Sequence, residues 1–406
     1  MKKKIVIFTS TGGGGHISVS TALNDYLKHE YTIKEVFLFK LILNSLDPIM
    51  SSIFGRVNGE NIYNYFMKKK LYRCANFLYS LGEFYFRLRS RSIQRIIETS
   101  LNNVKPDLVI SVIPIINQDV FLVTKKLNIP FLLIPTDLDP KTFFYRLKNT
   151  ESHPQFKVSL SFEDEDITSF AKPINPQQIV HNGFPLRSDF FKDKNKNHIL
   201  QQFDIPEDKA RVLLLMGTQG SNDMLRFVKE LSKLSTPAHL ICCVGKNKSI
   251  VNLLQAINLP SHISLSIIGF TDQISDLMAI SDLIISKSGS VSFCETIYSN
   301  VPTMLDATST ILRWEQFNHY FFEKNQLGKI LSAQAPIAQQ VQELLTNKHL
   351  LTSIKNNLLA YEKKQPHKDI PKLIEQMIAY KFEEKKETSS QEVYGQLSIV
   401  TSPRHK

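Results

Sequence analysis

The stretch IVIFTSTGGGGH, residues 5–16, begins with four apolar residues and ends in four consecutive glycines and a histidine. A short apolar run bounded by turn residues predicts a strand buried on both faces of a parallel sheet. The residues that follow predict a helix from about Ser18 to Lys28. A buried strand, a glycine turn and a helix in this order predict the first unit of a doubly wound α/β domain.

The same order of elements occurs again in the middle of the chain. Val212–Leu215 predict a strand, Gly217–Ser221 a turn, and the next residues a helix through about Leu234. Two such series predict two Rossmann-like domains that face each other across a cleft, with a ligand at the carboxyl ends of the strands. Further strands are predicted at Ile33–Phe39, Asp107–Ser111, Phe131–Pro135, Leu240–Val244, Ile263–Ile267 and Leu283–Ser286.

A charged stretch at Lys192–Asn197 separates the two series and is expected to be a linker. The polar composition after the last predicted helix is typical of a disordered tail. The predicted segments are, in order, a first domain over residues 1–190 with a helical segment at 50–103, a second domain over 198–365, a helix over 366–383 that returns to the first domain, and a tail over 384–406.

Composition limits the class of protein. The chain has 406 residues, of which 42% are hydrophobic, so it can bury two domain cores and is not broadly disordered. Its 49 lysines and arginines exceed its 38 acidic residues by 11, which favours anionic partners: nucleic acid, an acidic membrane or phosphorylated substrates. Four scattered cysteines exclude a disulfide scaffold. Without a run of about 20 apolar residues or a signal peptide, a cytoplasmic protein with peripheral membrane contact is expected.

The glycine loop is the first candidate site. Gly13, Gly14 and Gly15 let the backbone approach a ligand closely, and the start of the next helix favours negative charge there. The loop matches neither the dinucleotide-binding nor the P-loop pattern. His16 at its end has two readings, a general base or hydrogen-bond donor to a ligand, or a structural residue.

The second candidate site follows the last predicted strand. Small residues at positions 288–290, ahead of a helix, would direct backbone N–H groups toward a diphosphate. Glu295 on that helix would accept hydrogen bonds from two ribose hydroxyls, or else it is an exposed glutamate on a serine-rich helix.

The stretch from Phe54 to Arg95 mixes aromatic and basic residues. Helices of this composition suit an anionic bilayer surface, although an amphipathic helix pair packed on its own domain is the alternative. No nucleic-acid-binding motif accompanies the charge, so a nucleic-acid partner is not expected. The basic residues assigned to the membrane are Lys68, Lys69, Lys70, Arg73, Arg87, Arg89 and Arg91.

These features occur together with further motifs in a fixed order, which include Gly269–Thr271, Asp276–Ala279, Ser286–Gly289, Thr136–Asp137 and Asn182–Pro185. In this order the chain resembles the lipid glycosyltransferases that include processive diacylglycerol glucosyltransferases and monogalactosyldiacylglycerol synthases. They are related to the peptidoglycan N-acetylglucosaminyl transferase. The long basic and aromatic insertion before Pro106 is more similar to the diacylglycerol branch.

The resemblance implies an α/β fold of the GT-B type and an inverting transfer from a UDP-sugar, without a metal or other cofactor. It places His16 at the acceptor side, with Asp137 as a second candidate base. The residues it assigns to the donor are Gly217, Thr218, Gln219, Gly220, Ser221, Phe270, Thr271, Ser288, Gly289, Ser290, Glu295, Trp314, Glu315 and Asn318.

The expected function is transfer of a hexose to diacylglycerol or another membrane lipid, by a protein bound at the inner face of the cell membrane. One alternative is transfer of N-acetylglucosamine to a polyprenyl-linked cell-wall precursor. Another is a catalytically silent protein that binds a nucleotide-sugar or a lipid. Two departures from the family pattern permit this last reading: Ser290 replaces a glycine, and Trp314, which could stack on a sugar or pack in the core, replaces a glutamine.

Overall fold

A computed structural model describes residues 2–11, 14–46, 72–217, 220–309 and 311–380. The predicted residues outside these ranges are Gly13, Lys68, Lys69, Lys70, Thr218, Gln219 and the tail over 384–406, and the side chain of Arg73 is likewise not described.

The first half of the chain forms a six-stranded parallel sheet in the order β2-β1-β3-β4-β5-β6. The two central strands are fully apolar and pair in parallel, with Ile5 opposite Leu108, because helices cover both faces of the sheet. The strands are β1 Lys4–Thr9, β2 Thr32–Phe37, β3 Leu108–Ser111, β4 Phe131–Leu133, β5 Phe156–Leu160 and β6 Ile179–His181. The helices are α1 Gly15–Leu27, α2 Leu38–Leu46, α3 Tyr72–Leu88, α4 Ser90–Val104, α5 Asn117–Lys126 and α6 Glu165–Phe170.

The second half repeats the architecture with the strand order β12-β11-β10-β7-β8-β9, again all parallel. Val212 lies opposite Leu283 in its centre. The strands are β7 Ala210–Leu215, β8 Ala238–Gly245, β9 Ile263–Gly269, β10 Leu283–Ser286, β11 Thr303–Ala307 and β12 Lys329–Ser332. The helices are α7 Lys196–Gln202, α8 Asp223–Leu231, α9 Val251–Gln255, α10 Ile274–Ala279, α11 Ser290–Ser299, α12 Gln316–Lys324, α13 Ile337–Thr346 and α14 Lys348–Ala360, and a further helix α15 covers residues 366–380.

The structure corrects several predicted elements. The strand predicted through Phe39 ends at Phe37, because Leu38 and Ile42 are buried at helical spacing and begin α2. The predicted linker contains the start of α7, whose first turn is capped by the Asn195 side chain, which accepts from the N–H of His198. Of the helical segment predicted at 50–103, residues 72–104 are described and form α3 and α4.

α15 returns to the first half of the chain. The His367 ring lies 4.1 Å from that of Phe191 and 6.4 Å from that of Tyr26 in α1, measured between centroids. Ile370, Ile374 and Ile378 on this helix are buried. The chain therefore crosses between the two sheets near Phe191 and again before His367. In the described part of the chain, no helix is long and apolar enough to cross a membrane.

Candidate active site

His16 lies at the start of α1, directly after the glycine loop. Its Nδ1 lies 2.8 Å from the carbonyl oxygen of Val112, which follows β3, and 3.1 Å from the Thr136 hydroxyl, which follows β4. A carbonyl oxygen only accepts hydrogen bonds, so Nδ1 carries the proton and donates it to Val112. This tautomer places the basic lone pair on Nε2, the form that a general base requires.

Asp137 faces the second half of the chain. Its Oδ1 accepts a hydrogen bond of 2.9 Å from the hydroxyl of Ser290, the first residue of α11. Burial raises the pKa of Asp137 to about 6, against the opposing effect of this hydrogen bond. The cleft walls therefore meet where a candidate base and the predicted diphosphate turn lie side by side.

Ser290→Ala is expected to raise the pKa of Asp137 further, by about one pH unit, because the hydroxyl stabilises the ionised carboxylate. Carbon NMR titration of labelled aspartate, with the Asp137 signal assigned from Asp137→Asn, measures the shift. Ser292→Ala removes a hydroxyl from the same helix and serves as the control. An unchanged midpoint in Ser290→Ala would contradict the role given to the hydrogen bond.

The backbone accommodates serine at position 290 without strain. Gly289 has a φ of −64°, and Ser290 is absent from the described non-glycine residues with positive φ. Because α11 begins here, its first N–H groups are available to an anion. The acceptor side is close to this turn, since a Cβ on Gly15 would lie 3.6 Å from Val291.

Glu295 lies one turn further along α11 and is buried, which excludes the reading as an exposed glutamate. Its Oε1 lies 3.7 Å from the guanidinium of Arg187, which also donates a 2.7 Å hydrogen bond to the carbonyl of Asp272. Burial raises the pKa of Glu295 to about 7, although Arg187 opposes the shift. Arg187 was missed in the sequence, and its place just after the Asn182–Pro185 motif was the available signal.

The buried Glu295 makes stability depend on pH. The folded protein keeps this proton up to about pH 7, whereas the carboxyl normally releases it near 4.5, so folding becomes less favourable as the pH rises through this window. Glu295→Gln removes the titration, and we expect a gain over wild type of about 1–3 kcal/mol at about pH 8 that vanishes below about pH 5. Urea denaturation across this range tests it, with the exposed Glu323→Gln as control. A difference that is constant with pH would contradict the prediction.

The predicted hexose side lies at the start of α12. The buried Asn318 donates a 2.6 Å hydrogen bond to the carbonyl of Ser288, and its Oδ1 has no partner among the described residues. Burial raises the pKa of Glu315 to about 7, partly offset by Lys287, and a Cβ on Gly289 would lie 3.6 Å from its Oε1. Glu315 and Asn318 therefore converge on the diphosphate turn.

Two neighbours of this group were not predicted, and one predicted residue is placed beside it. His319 bonds the Ser288 hydroxyl, and burial lowers the pKa of its imidazole. Lys287 is the nearest cation named in the pKa shift of Glu315. Trp314 is half-buried in the turn before α12, so it is not a core residue.

The turn after β7 needs glycine at two positions. Gly217 has a φ of +84° and Gly220 a φ of +68°, and the N–H of Gly220 donates to the carbonyl of Gly217 at 2.9 Å. A Cβ on Gly220 would lie 2.1 Å from the carbonyl oxygen of Val244. The Ser221 hydroxyl donates to Asp223 at the start of α8. The turn is therefore held against the loop that follows β8.

The predicted uracil side is open to solvent. The Phe270 ring is 63% exposed, and the ammonium of Lys246 lies 5.3 Å from its centroid. The Thr271 hydroxyl accepts a 3.0 Å hydrogen bond from the N–H of Gln273. In the described residues, no cluster of His, Cys, Asp and Glu could hold a metal ion.

Comparison with known proteins gives a family for one half of the chain and a fold for all of it. Residues 211–376 match the glycosyltransferase family 28 C-terminal domain. The chain is 24% identical over 367 residues to a processive diacylglycerol beta-glucosyltransferase of Bacillus pumilus, and 22% identical over 370 residues to one of Bacillus subtilis. Each match covers 88% of this chain and 90% of the relative.

The solved structure of MurG from Acinetobacter baumannii superposes with a TM-score of 0.62 at 14% identity, over 92% of this chain and 99% of that one. CalG4, the calicheamicin glycosyltransferase, superposes with a TM-score of 0.55 at 12% identity, over 99% and 100% of the two chains. These similarities confirm the predicted fold of two Rossmann-like domains. The chain is therefore a glycosyltransferase of the GT-B fold, and its residues 211–376 belong to the glycosyltransferase family 28 C-terminal domain.

Proposed function

We propose that the protein transfers a hexose, with inversion, from a UDP-sugar to diacylglycerol. The curated relatives named for this lipid match along both halves of the chain, so the likeness includes the acceptor side. Their name makes glucose the favoured sugar. The observation that carries the proposal is the hydrogen bond between Asp137 and Ser290, because it brings the acceptor-side wall and the donor helix into contact.

The chemistry of an inverting transfer fits the residues at this contact. His16 removes the proton of the acceptor hydroxyl while the anomeric carbon becomes cationic, and its Nδ1–H bond to Val112 keeps Nε2 basic. The departing UDP gains negative charge, which the first N–H groups of α11 stabilise without a metal. Glu295 and its partner Arg187 position the ribose.

A bilayer face on α3 supports a lipid acceptor. Phe77, Leu81, Phe84 and Leu88 are 71%, 51%, 59% and 67% exposed. Their spacing of four, three and four residues puts them on one side of the helix. Arg87, Arg89 and Arg91 are exposed around the end of this stripe. An apolar helical stripe bordered by cations suits a helix lying in the interface of an acidic membrane, here the cytoplasmic face.

The double variant Phe84→Ser/Leu88→Ser is expected to bind vesicles of acidic lipid at least about tenfold more weakly, because each side chain loses apolar burial in the bilayer. Flotation of the protein with vesicles measures the binding. Leu253 and Leu359 are similarly exposed in the second half of the chain, so Leu253→Ser/Leu359→Ser is the control. Equal losses in the two double variants would contradict the assignment of α3.

The proposed function is tested by release of UDP from UDP-glucose, UDP-galactose and UDP-N-acetylglucosamine, each with and without diacylglycerol in acidic vesicles. Release that depends on diacylglycerol and on one hexose donor is the expected result. Release from UDP-N-acetylglucosamine with a polyprenyl-linked acceptor would replace diacylglycerol by a cell-wall precursor. Binding of UDP without release from any donor would make the protein a nucleotide-sugar-binding protein.

A further inference from the structure

A cavity of about 360 Å³ opens between α2 and α4, beside the edge strand β2, and is separate from the candidate active site. α2 packs on α4 here. Along α4, Arg95, Thr99 and Asn103 follow each other at intervals of four residues, so they form one wall. Lys34 of β2 closes one end.

The charge of this cavity is not balanced. Lys34 and Arg95 make no ion pair or hydrogen bond with any described residue, and no carboxylate lines the cavity among the described residues. Glu98 on α4 does not offset them, because it binds Lys126 of α5 at 2.7 Å on another side of the helix. Two cations without a counter-ion beside one concave surface create a local attraction for an anion.

The remaining wall has the mixed character of a site for an ester. The Thr99 hydroxyl and the Asn103 amide add hydrogen-bonding groups, while Leu41 and Ile96 provide an apolar surface. A guanidinium binds two oxygens of a phosphate at once, and an ammonium adds a point charge. Together these groups match a phosphate that carries a glycerol or a similar short alkyl group.

We propose that this cavity binds the phosphate ester headgroup of an acidic phospholipid, and so gives the protein a second lipid contact apart from the acceptor. The cavity lies near the bilayer face, because the Phe39 ring of α2 stacks on Phe86 of α3 with centroids 5.4 Å apart. Its ligand source rests on the bilayer contact of the proposed function. Its existence does not depend on the sugar, the acceptor or the transfer reaction.

The test compares Lys34→Gln and Arg95→Gln with Lys40→Gln, which removes the same charge from an exposed residue of α2 outside the cavity lining. Two binding measurements are made: flotation with phosphatidylcholine vesicles with and without phosphatidylglycerol, and titration with soluble glycerol 1-phosphate, with inorganic phosphate for comparison. We expect each cavity variant to weaken binding to the acidic vesicles about tenfold, and Lys40→Gln to weaken it by less than about twofold.

A selective loss in both measurements would assign the cavity to phosphate esters in either form, and a selective loss with vesicles alone would restrict it to the bilayer lipid. Equal losses in all three variants would overturn the inference, because they indicate general surface attraction. If the wild type does not float with any vesicle, the bilayer contact of the proposed function fails. The soluble titration then decides the cavity, and absence of glycerol 1-phosphate binding would overturn it.

Discussion

His16→Ala is expected to lower the turnover of the glycosyl donor by about 10²–10⁴-fold, the usual contribution of a general base. Affinity for UDP should change by less than about twofold, because His16 belongs to the wall formed by β1, β3 and β4 rather than to α11. Turnover is measured as UDP release in the presence of acceptor, and affinity by calorimetric titration with UDP.

Asp137→Asn is the matched comparison, since an amide oxygen still accepts the hydrogen bond of Ser290 while the base is removed. A larger loss in Asp137→Asn than in His16→Ala would transfer the role of base to Asp137, whose pKa of about 6 suits it. Full turnover in His16→Ala would remove His16 from the chemistry.

Gly220→Ala is expected to disrupt the turn after β7, with a loss of about 2–5 kcal/mol in the free energy of unfolding and a large loss of UDP affinity. Two effects add: alanine is strained at a φ of +68°, and its Cβ would lie 2.1 Å from the carbonyl oxygen of Val244. That carbonyl is backbone, so a rotamer change cannot relieve the clash. Urea denaturation and titration with UDP measure the two losses.

Gly217→Ala separates the two effects within the same turn. Its φ of +84° carries the same conformational strain, but the nearest atom to its Cβ is Lys287 Cδ at 3.9 Å. We therefore expect a loss of about 1–2 kcal/mol from strain alone. If the two variants were equally destabilised, the close packing of Gly220 against Val244 would have no energetic importance.

Much of the fold could be predicted because its central strands are fully buried. β1, β3, β7 and β10 are continuous apolar runs, and the two glycine turns mark where each domain begins. β11 and β12 were missed, since Thr303, Asp306 and Lys329 interrupt their apolar pattern. Short strands toward the sheet edge are paired on the evidence of distant residues, which a local pattern does not contain.

The candidate site could be located along the chain but not assembled from it. Motif order indicated Glu295, Glu315 and Asn318, and the structure places the latter two beside the diphosphate turn. The contact of Asp137 with Ser290 spans 153 residues and depends on how the domains face each other, which spacing cannot supply. Arg187 was missed for the same reason, because its carboxylate partner lies in the other half of the chain.

The return of α15 to α1 has a consequence for biosynthesis. A ribosome delivers the strands of the first sheet, which end at His181, well before residues 366–380. Until then, the surface of α1 near Tyr26, where His367 later packs, has no cover from α15. The amino-terminal half therefore completes its packing after the carboxyl-terminal half has been made, and it depends on the end of the chain for its final structure.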